Sequence, residues 1–83
     1  MQYKQKYGEL CKKYFEIFIS QSTGDTMNKI AKYYYKLGEY DTMINCYVSA
    51  IRKGNKYSLI NLGLYYEQQQ KYDLMEEYFI LAI

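Results

Sequence analysis

With 83 residues the chain has material for one domain, residues 1–83, and a small core. A formal net charge of +2 excludes a partner recognised by bulk positive charge, so neither nucleic acid nor a membrane surface is expected; Lys4, Lys6, Lys12, Lys13, Lys29, Lys32 and Lys36 are interleaved with Glu9, Glu16, Asp25 and Glu39. The chain has no His, and its two cysteines, Cys11 and Cys46, lack CxxC spacing, which excludes a zinc centre and predicts two small buried hydrophobes.

Residues 8–22 come first. Cys11, Phe15, Phe18 and Ile19 recur at helical spacing, and the segment reads as the second helix of a degenerate first repeat or as a cap that imitates one. Ser22-Thr23-Gly24-Asp25 then signals a turn. Met27, Ile30, Ala31 and Tyr34 follow the i, i+3, i+4, i+7 pattern and predict a helix over 25–37. Gly38-Glu39-Tyr40-Asp41 ends it, with Gly38 suited to a left-handed C-cap and Asp41 to the next N-cap. Met43, Tyr47, Ala50 and Ile51 mark a helix over 41–53, closed by Lys53-Gly54-Asn55. Leu59, Leu62, Gly63 and Tyr66 predict a helix over 57–70, and Met75, Phe79, Ala82 and Ile83 one over 73–83.

These segments form a repeat. A shift of 32 residues lays 25–51 on 57–83 without a gap, and seven of 27 pairs are identical: Tyr33/Tyr65, Tyr34/Tyr66, Tyr40/Tyr72, Asp41/Asp73, Met43/Met75, Ala50/Ala82 and Ile51/Ile83. Average composition yields about two identities by chance. Ala31 and Gly63 share one position and Ala50 and Ala82 another, so small residues stand where helices approach closely. Tyr34, Tyr47, Tyr66 and Phe79 are expected to fill the space beside them. Of the 16 aromatic residues 13 are Tyr, an abundance that AT-rich codon usage explains and that suits thin helical layers.

Ile30-Ala31 with Tyr34, Met43, Tyr47 and Ala50 resembles the small/large pattern of a tetratricopeptide repeat. Asn61-Leu62-Gly63-Leu64-Tyr65-Tyr66 through Tyr72, Met75 and Ala82-Ile83 is similar to the Sel1-like variant, whose ending Ala50-Ile51-Arg52-Lys53-Gly54 also resembles. The 32-residue period is shorter than the roughly 34 of tetratricopeptide repeats, and the Pro usual at the repeat end is absent. Short Tyr-rich repeats of this style resemble those of large DNA viruses and AT-rich protists. The resemblance implies an all-α fold, a right-handed α-solenoid of antiparallel helix pairs with about two and a half repeats. It also implies a groove that binds a partner peptide or helix, here through Asn28, Lys32, Tyr35, Lys36, Ile60, Asn61, Leu64 and Glu67. A clamp for a C-terminal carboxylate is not expected, because Tyr57 stands where such a clamp has Lys. Ile60 and Leu64, one turn apart, point to an apolar ligand face or to a face covered by the chain's own neighbouring helix.

No reaction chemistry is legible. Without His the commonest general base near neutral pH is missing. Glu76 and Glu77 point about 100° apart on a helix, and Asp73 with Glu77 reads as a solvated acidic first turn. All five glycines are isolated, so no phosphate-binding loop is present and no cofactor is expected. Tyr33, Tyr34 and Tyr35 between lysines have the makings of a single-strand platform, but Tyr65 and Tyr66 recur without lysines, and packing explains them. No segment is apolar enough to span a membrane, and Met1-Gln2-Tyr3-Lys4 lacks the run of a signal peptide, which predicts a cytoplasmic protein (host cytoplasm or virion if viral). The apolar ending Tyr78-Phe79-Ile80-Leu81-Ala82-Ile83 predicts a buried end face with Phe79 and Ile83 in contact. Two functions result: a non-catalytic scaffold or adaptor, or a structural subunit that self-associates through its C-terminal helix.

Overall fold

The computed structural model describes the backbone of residues 2–83 and the side chains from Gly8 onward apart from Cys11. The expectations for Lys4, Lys6 and Cys11 lie outside the described residues. Five helices follow in order: α1 (Gln2–Gln21), α2 (Gly24–Lys36), α3 (Tyr40–Arg52), α4 (Lys56–Gln68) and α5 (Tyr72–Ala82). The fold is all-helical, and each of the last four helices starts one residue earlier than the periodicity predicts. The first helix is longer than the expected 8–22, because nothing before Gly8 interrupts it and a single glycine does not stop a helix.

α2 packs against α3, α4 against α5, and α3 against α4. The molecule is elongated, 44 × 25 × 16 Å. Met27 and Ala31 of α2, Met43, Cys46, Tyr47 and Ala50 of α3, and Leu62 of α4 form the buried cluster, with Ile19 of α1 packed against it. These are the stripes read from the sequence. α5 has no fully buried residue; Met75, Phe79 and Ala82 are only half-buried, although Met43, Tyr47 and Ala50 at the equivalent positions are covered. The difference is a second neighbour: α3 packs against both α2 and α4, whereas among the described helices α5 packs extensively against α4 alone.

Gly63 shows how closely α4 and α5 approach. A Cβ there would stand 2.5 Å from the ring of Phe79, so only glycine admits the ring at that position. Phe79 therefore faces inward onto α4, while Ile83 is fully exposed.

The turns share one geometry. Gly38, Gly54 and Gln70 all have positive φ, at 76°, 91° and 59°. In each case the next amide bonds back to a carbonyl five residues earlier: Glu39 to Tyr34, Asn55 to Ala50 and Lys71 to Tyr66, at 2.9–3.0 Å. Gln70 holds Gly38's place without glycine's freedom. Gln70→Gly is expected to raise the unfolding free energy by about 0.5–1 kcal/mol, read from urea denaturation, because left-handed backbone costs a side-chain-bearing residue roughly 1–2 kcal/mol and glycine's own entropy returns part of the gain. The Asp41 cap is corrected. Helix α3 starts at Tyr40 with Glu39 at the N-cap and no side-chain cap bond, which leaves Asp41 in the first turn, where its charge faces the positive end of the helix.

α1 is fastened by its C-terminal end. Lys53 Nζ donates to the carbonyl oxygens of Ile19 (2.6 Å), Ser20 (3.2 Å) and Ser22 (2.5 Å), so one cation collects carbonyls that the end of α1 leaves without helical partners.

Candidate functional site

A cleft of about 190 Å³ lies between α2, α3 and α4. Its floor is Met43 and Tyr47 of α3, whose burial at 0% and 5% comes from the core beneath them. Lys32 and Tyr35 of α2 form one wall, and Asn61, Leu64, Tyr65 and Gln68 of α4 the other. Tyr35 Oη donates to Gln68 Oε1 at 2.9 Å across the opening. Lys32, three residues before Tyr35 on the same helix face, is the one cation among the described residues that line the cleft.

Of the residues expected in a groove, the structure brings Lys32, Tyr35, Asn61 and Leu64 together here. Ile60 is turned to a neighbouring hollow bounded by Asp25, Gly54, Asn55, Lys56 and Tyr57. Lys36 and Glu67 are exposed and line neither space. Asn28 lies beneath the groove rather than in it. It is 8% exposed, and its Oδ1 accepts from Ser58 Oγ at 2.7 Å and from Asn61 Nδ2 at 3.0 Å.

That pair of bonds belongs to a polar joint between α2 and α4 that sequence reasoning missed. Asn55 Oδ1 accepts from the Ser58 amide at 2.9 Å and so caps α4; it also lies 3.2 Å from Ser58 Oγ. Asn55 Nδ2 donates to Asp25 Oδ1 at 2.8 Å. Among the described residues no buried side-chain nitrogen or oxygen lacks a partner. The joint sets the spacing of α2 and α4, and Asn61 leads directly from it into the cleft wall. Asn55 three residues before Ser58 was the available signal, an N-cap spacing, but nothing local shows that Asn28 and Asp25 reach the same spot.

A run of tyrosine rings borders the cleft. Tyr35 meets Tyr40 at 6.0 Å between centroids, Tyr40 meets Tyr65 at 5.5 Å, Tyr65 meets Tyr66 at 5.4 Å, and Tyr66 stacks on Tyr78 at 5.8 Å. These are the distances at which aromatic pairs attract. Crowding and burial raise three phenols above their ordinary value of 10.0. For Tyr47 burial leads and the Tyr35 phenol adds; for Tyr65 burial leads, followed by Tyr40, Asp41 and Tyr35; for Tyr66 burial leads, followed by Tyr78 and Tyr65. A folded-state value raised above the unfolded one supplies stability that is complete below the unfolded value and lost as pH rises through the folded one. The melting midpoint is therefore expected to lose no contribution from these phenols up to about pH 10 and to fall above it. Tyr65→Phe should flatten that alkaline fall, which thermal denaturation across the range reads directly.

Burial also raises the Cys46 thiol, so this buried cysteine is a poor nucleophile. Among the described residues no group of three or more His, Cys, Asp or Glu side chains could hold a metal ion. None of the described helices is long and apolar enough to cross a membrane. Comparison of the chain with family models, with curated proteins and with solved structures finds no match. The functional reading therefore rests on the repeat spacing and on this cleft.

Proposed function

We propose that the chain is a non-catalytic protein-interaction module of the tetratricopeptide or Sel1-like kind, a right-handed stack of helix pairs that holds a segment of a partner protein. In this reading α2 with α3 and α4 with α5 are two repeats, and α1 is the remaining helix of a degenerate first one. The observation that supports it is the cleft. Three helices place Lys32, Tyr35, Asn61 and Leu64 around an apolar floor of Met43 and Tyr47. Such a site suits a peptide or short helix with one apolar or aromatic side chain to insert and an acceptor, a carboxylate or a carbonyl, for Lys32.

Selection of helical and extended peptides from a displayed library tests this. Bound peptides should share an apolar anchor and perturb backbone resonances of Lys32, Tyr35, Asn61 and Leu64. Leu64→Lys should weaken them at least tenfold while circular dichroism stays helical, because Leu64 is 43% exposed and carries little of the fold. Ile60→Lys, on the neighbouring hollow, should weaken only ligands long enough to reach it. Ligands that bind Leu64→Lys as well as the parent chain would remove the cleft from consideration.

A further inference from the structure

The first helix is held to the body mainly at one end. α2 packs on α3, α3 on α4 and α4 on α5, whereas α1 makes no helix pairing of that extent among the described residues. Of its described side chains, Ile19 is the one that packs against the buried cluster. Leu10, Tyr14, Ile17 and Phe18 stand 62%, 75%, 54% and 45% exposed. A helix in a protein owes most of its stability to a covered apolar face, and the described part of α1 has little of one.

The C-terminal end of α1 also lacks a cation of its own. α2 and α3 carry Lys36 and Arg52 in their last turns, where positive charge suits the negative end of a helix, and α1 has no basic residue there. The charge comes instead from the turn after α3. The Lys53 ammonium donates to the carbonyl oxygens of Ile19, Ser20 and Ser22, so its three donors meet three acceptors. The Phe18 carbonyl oxygen accepts from both the amide and Oγ of Ser22, which closes the last turn of α1 beside that ammonium. Hydrogen bonds from a charged donor are roughly twice as strong as neutral ones.

The rest of the joint stands without that side chain. Lys53 closes α3 through its backbone amide, which donates to the Ser49 and Ala50 carbonyls. α2 has its own cap, Thr23 Oγ1, which accepts from the Thr26 amide at 3.2 Å. Gly24, at the start of α2, is seated on the turn after α3. A Cβ there would stand 3.1 Å from Asn55 Cβ and 3.2 and 3.3 Å from the Ala50 and Lys53 carbonyl oxygens. α2 is therefore fixed from Gly24 onward, and the freedom left to α1 lies at Ser22 and Thr23.

We infer that α1 is a detachable arm and that the Lys53 ammonium is its latch. With the charge in place the arm is folded against the body. Without it the arm turns about Ser22 and Thr23 and its helix frays, while α2 to α5 stay folded. Removing the charge on one nitrogen is enough to free it. The cleft between α2, α3 and α4 lies outside this joint, so the inference stands apart from the peptide-binding reading.

Hydrogen exchange of the separate helices, read by mass spectrometry on the whole chain, tests it. Lys53→Met keeps an unbranched side chain and removes the charge and its donors. Exchange over residues 12–21 should rise at least about tenfold, while exchange over α2 to α5 stays within about twofold of the parent chain. Lys56→Met, the same change at an exposed lysine in the first turn of α4, should leave α1 as it is in the parent. Unchanged exchange of α1 in Lys53→Met overturns the inference. So does a rise spread equally over all five helices, which would make Lys53 part of one cooperative fold. A Lys56→Met variant whose α1 exchanges as fast as that of Lys53→Met also overturns it, since general loss of charge would then be the cause.

Discussion

Leu62→Ala is expected to lower the unfolding free energy by about 2–5 kcal/mol. Leu62 is 0% exposed and is the fully buried residue of α4 in the cluster of Met27, Ala31, Met43, Cys46, Tyr47 and Ala50, with Tyr65 and Tyr66 packed against its edge. Truncation removes its transfer energy and leaves a cavity that helices tied by short turns cannot fully close. A domain this small has on the order of 5 kcal/mol in total, so much of the variant should be unfolded at physiological temperature. Leu62→Met, close in volume, should cost less than about 1.5 kcal/mol. Leu64→Ala, two residues along on the exposed side, should stay within about 0.5 kcal/mol. Urea titration of the three variants checks the ranking, and equal losses at positions 62 and 64 would contradict the arrangement of α4.

The second large effect is at Asn55. Asn55→Ala removes the α4 cap, one acceptor of Ser58 and the tie to Asp25, and is expected to cost about 2 kcal/mol. Asn55→Asp is the more informative change. Asp and Asn cap helices about equally well in general. Here the Asn55 amide nitrogen donates to Asp25 Oδ1 at 2.8 Å, and Asp would replace that donor with a second carboxylate. The variant should therefore be less stable by about 1–2 kcal/mol at neutral pH despite an intact cap. Repulsion makes the new carboxyl hold its proton more readily in the folded chain than in the unfolded one. A folded value raised in this way gives stability that is present at low pH and lost as pH rises, so the deficit should shrink towards about pH 4. Thermal melts of the parent chain and both variants at acidic and neutral pH read it. An Asn55→Asp variant as stable as the parent at neutral pH would mean that the Asn55–Asp25 bond contributes nothing.

Much of the fold was legible because helical phase is a local property. Met27, Ala31, Met43, Tyr47, Ala50 and Leu62 are recognisable as a stripe from spacing alone, and all six are buried. The turn glycines were legible for the same reason, since left-handed backbone at Gly38 and Gly54 is a one-residue requirement. Gln70 was not. Its backbone conformation is imposed by the turn between α4 and α5, against its own preference.

The candidate site divides along the same line. The resemblance to helical repeats implied groove positions at Lys32, Tyr35, Asn61 and Leu64, and the structure gathers these four around one cleft. Asn28 has the same periodicity and a different situation, because Ser58 and Asn61 arrive from α4 to occupy its carbonyl oxygen. Lys36 and Glu67 fall outside the cleft because neither faces the space between the helices.

By itself, then, the amino-acid order determined the helices, their turns and the faces they bury, since each depends on residues within a few positions of one another. The remainder depended on how the helices pack together. Whether Asn28 binds or braces, whether Asn55 tolerates Asp, and why Met43 is buried while Met75 at the equivalent position is half-exposed all depend on residues about 30 positions away or on a helix that is or is not packed alongside. Burial and hydrogen-bond partnership belong to pairs of segments brought together by folding, and no local pattern encodes the second member of the pair.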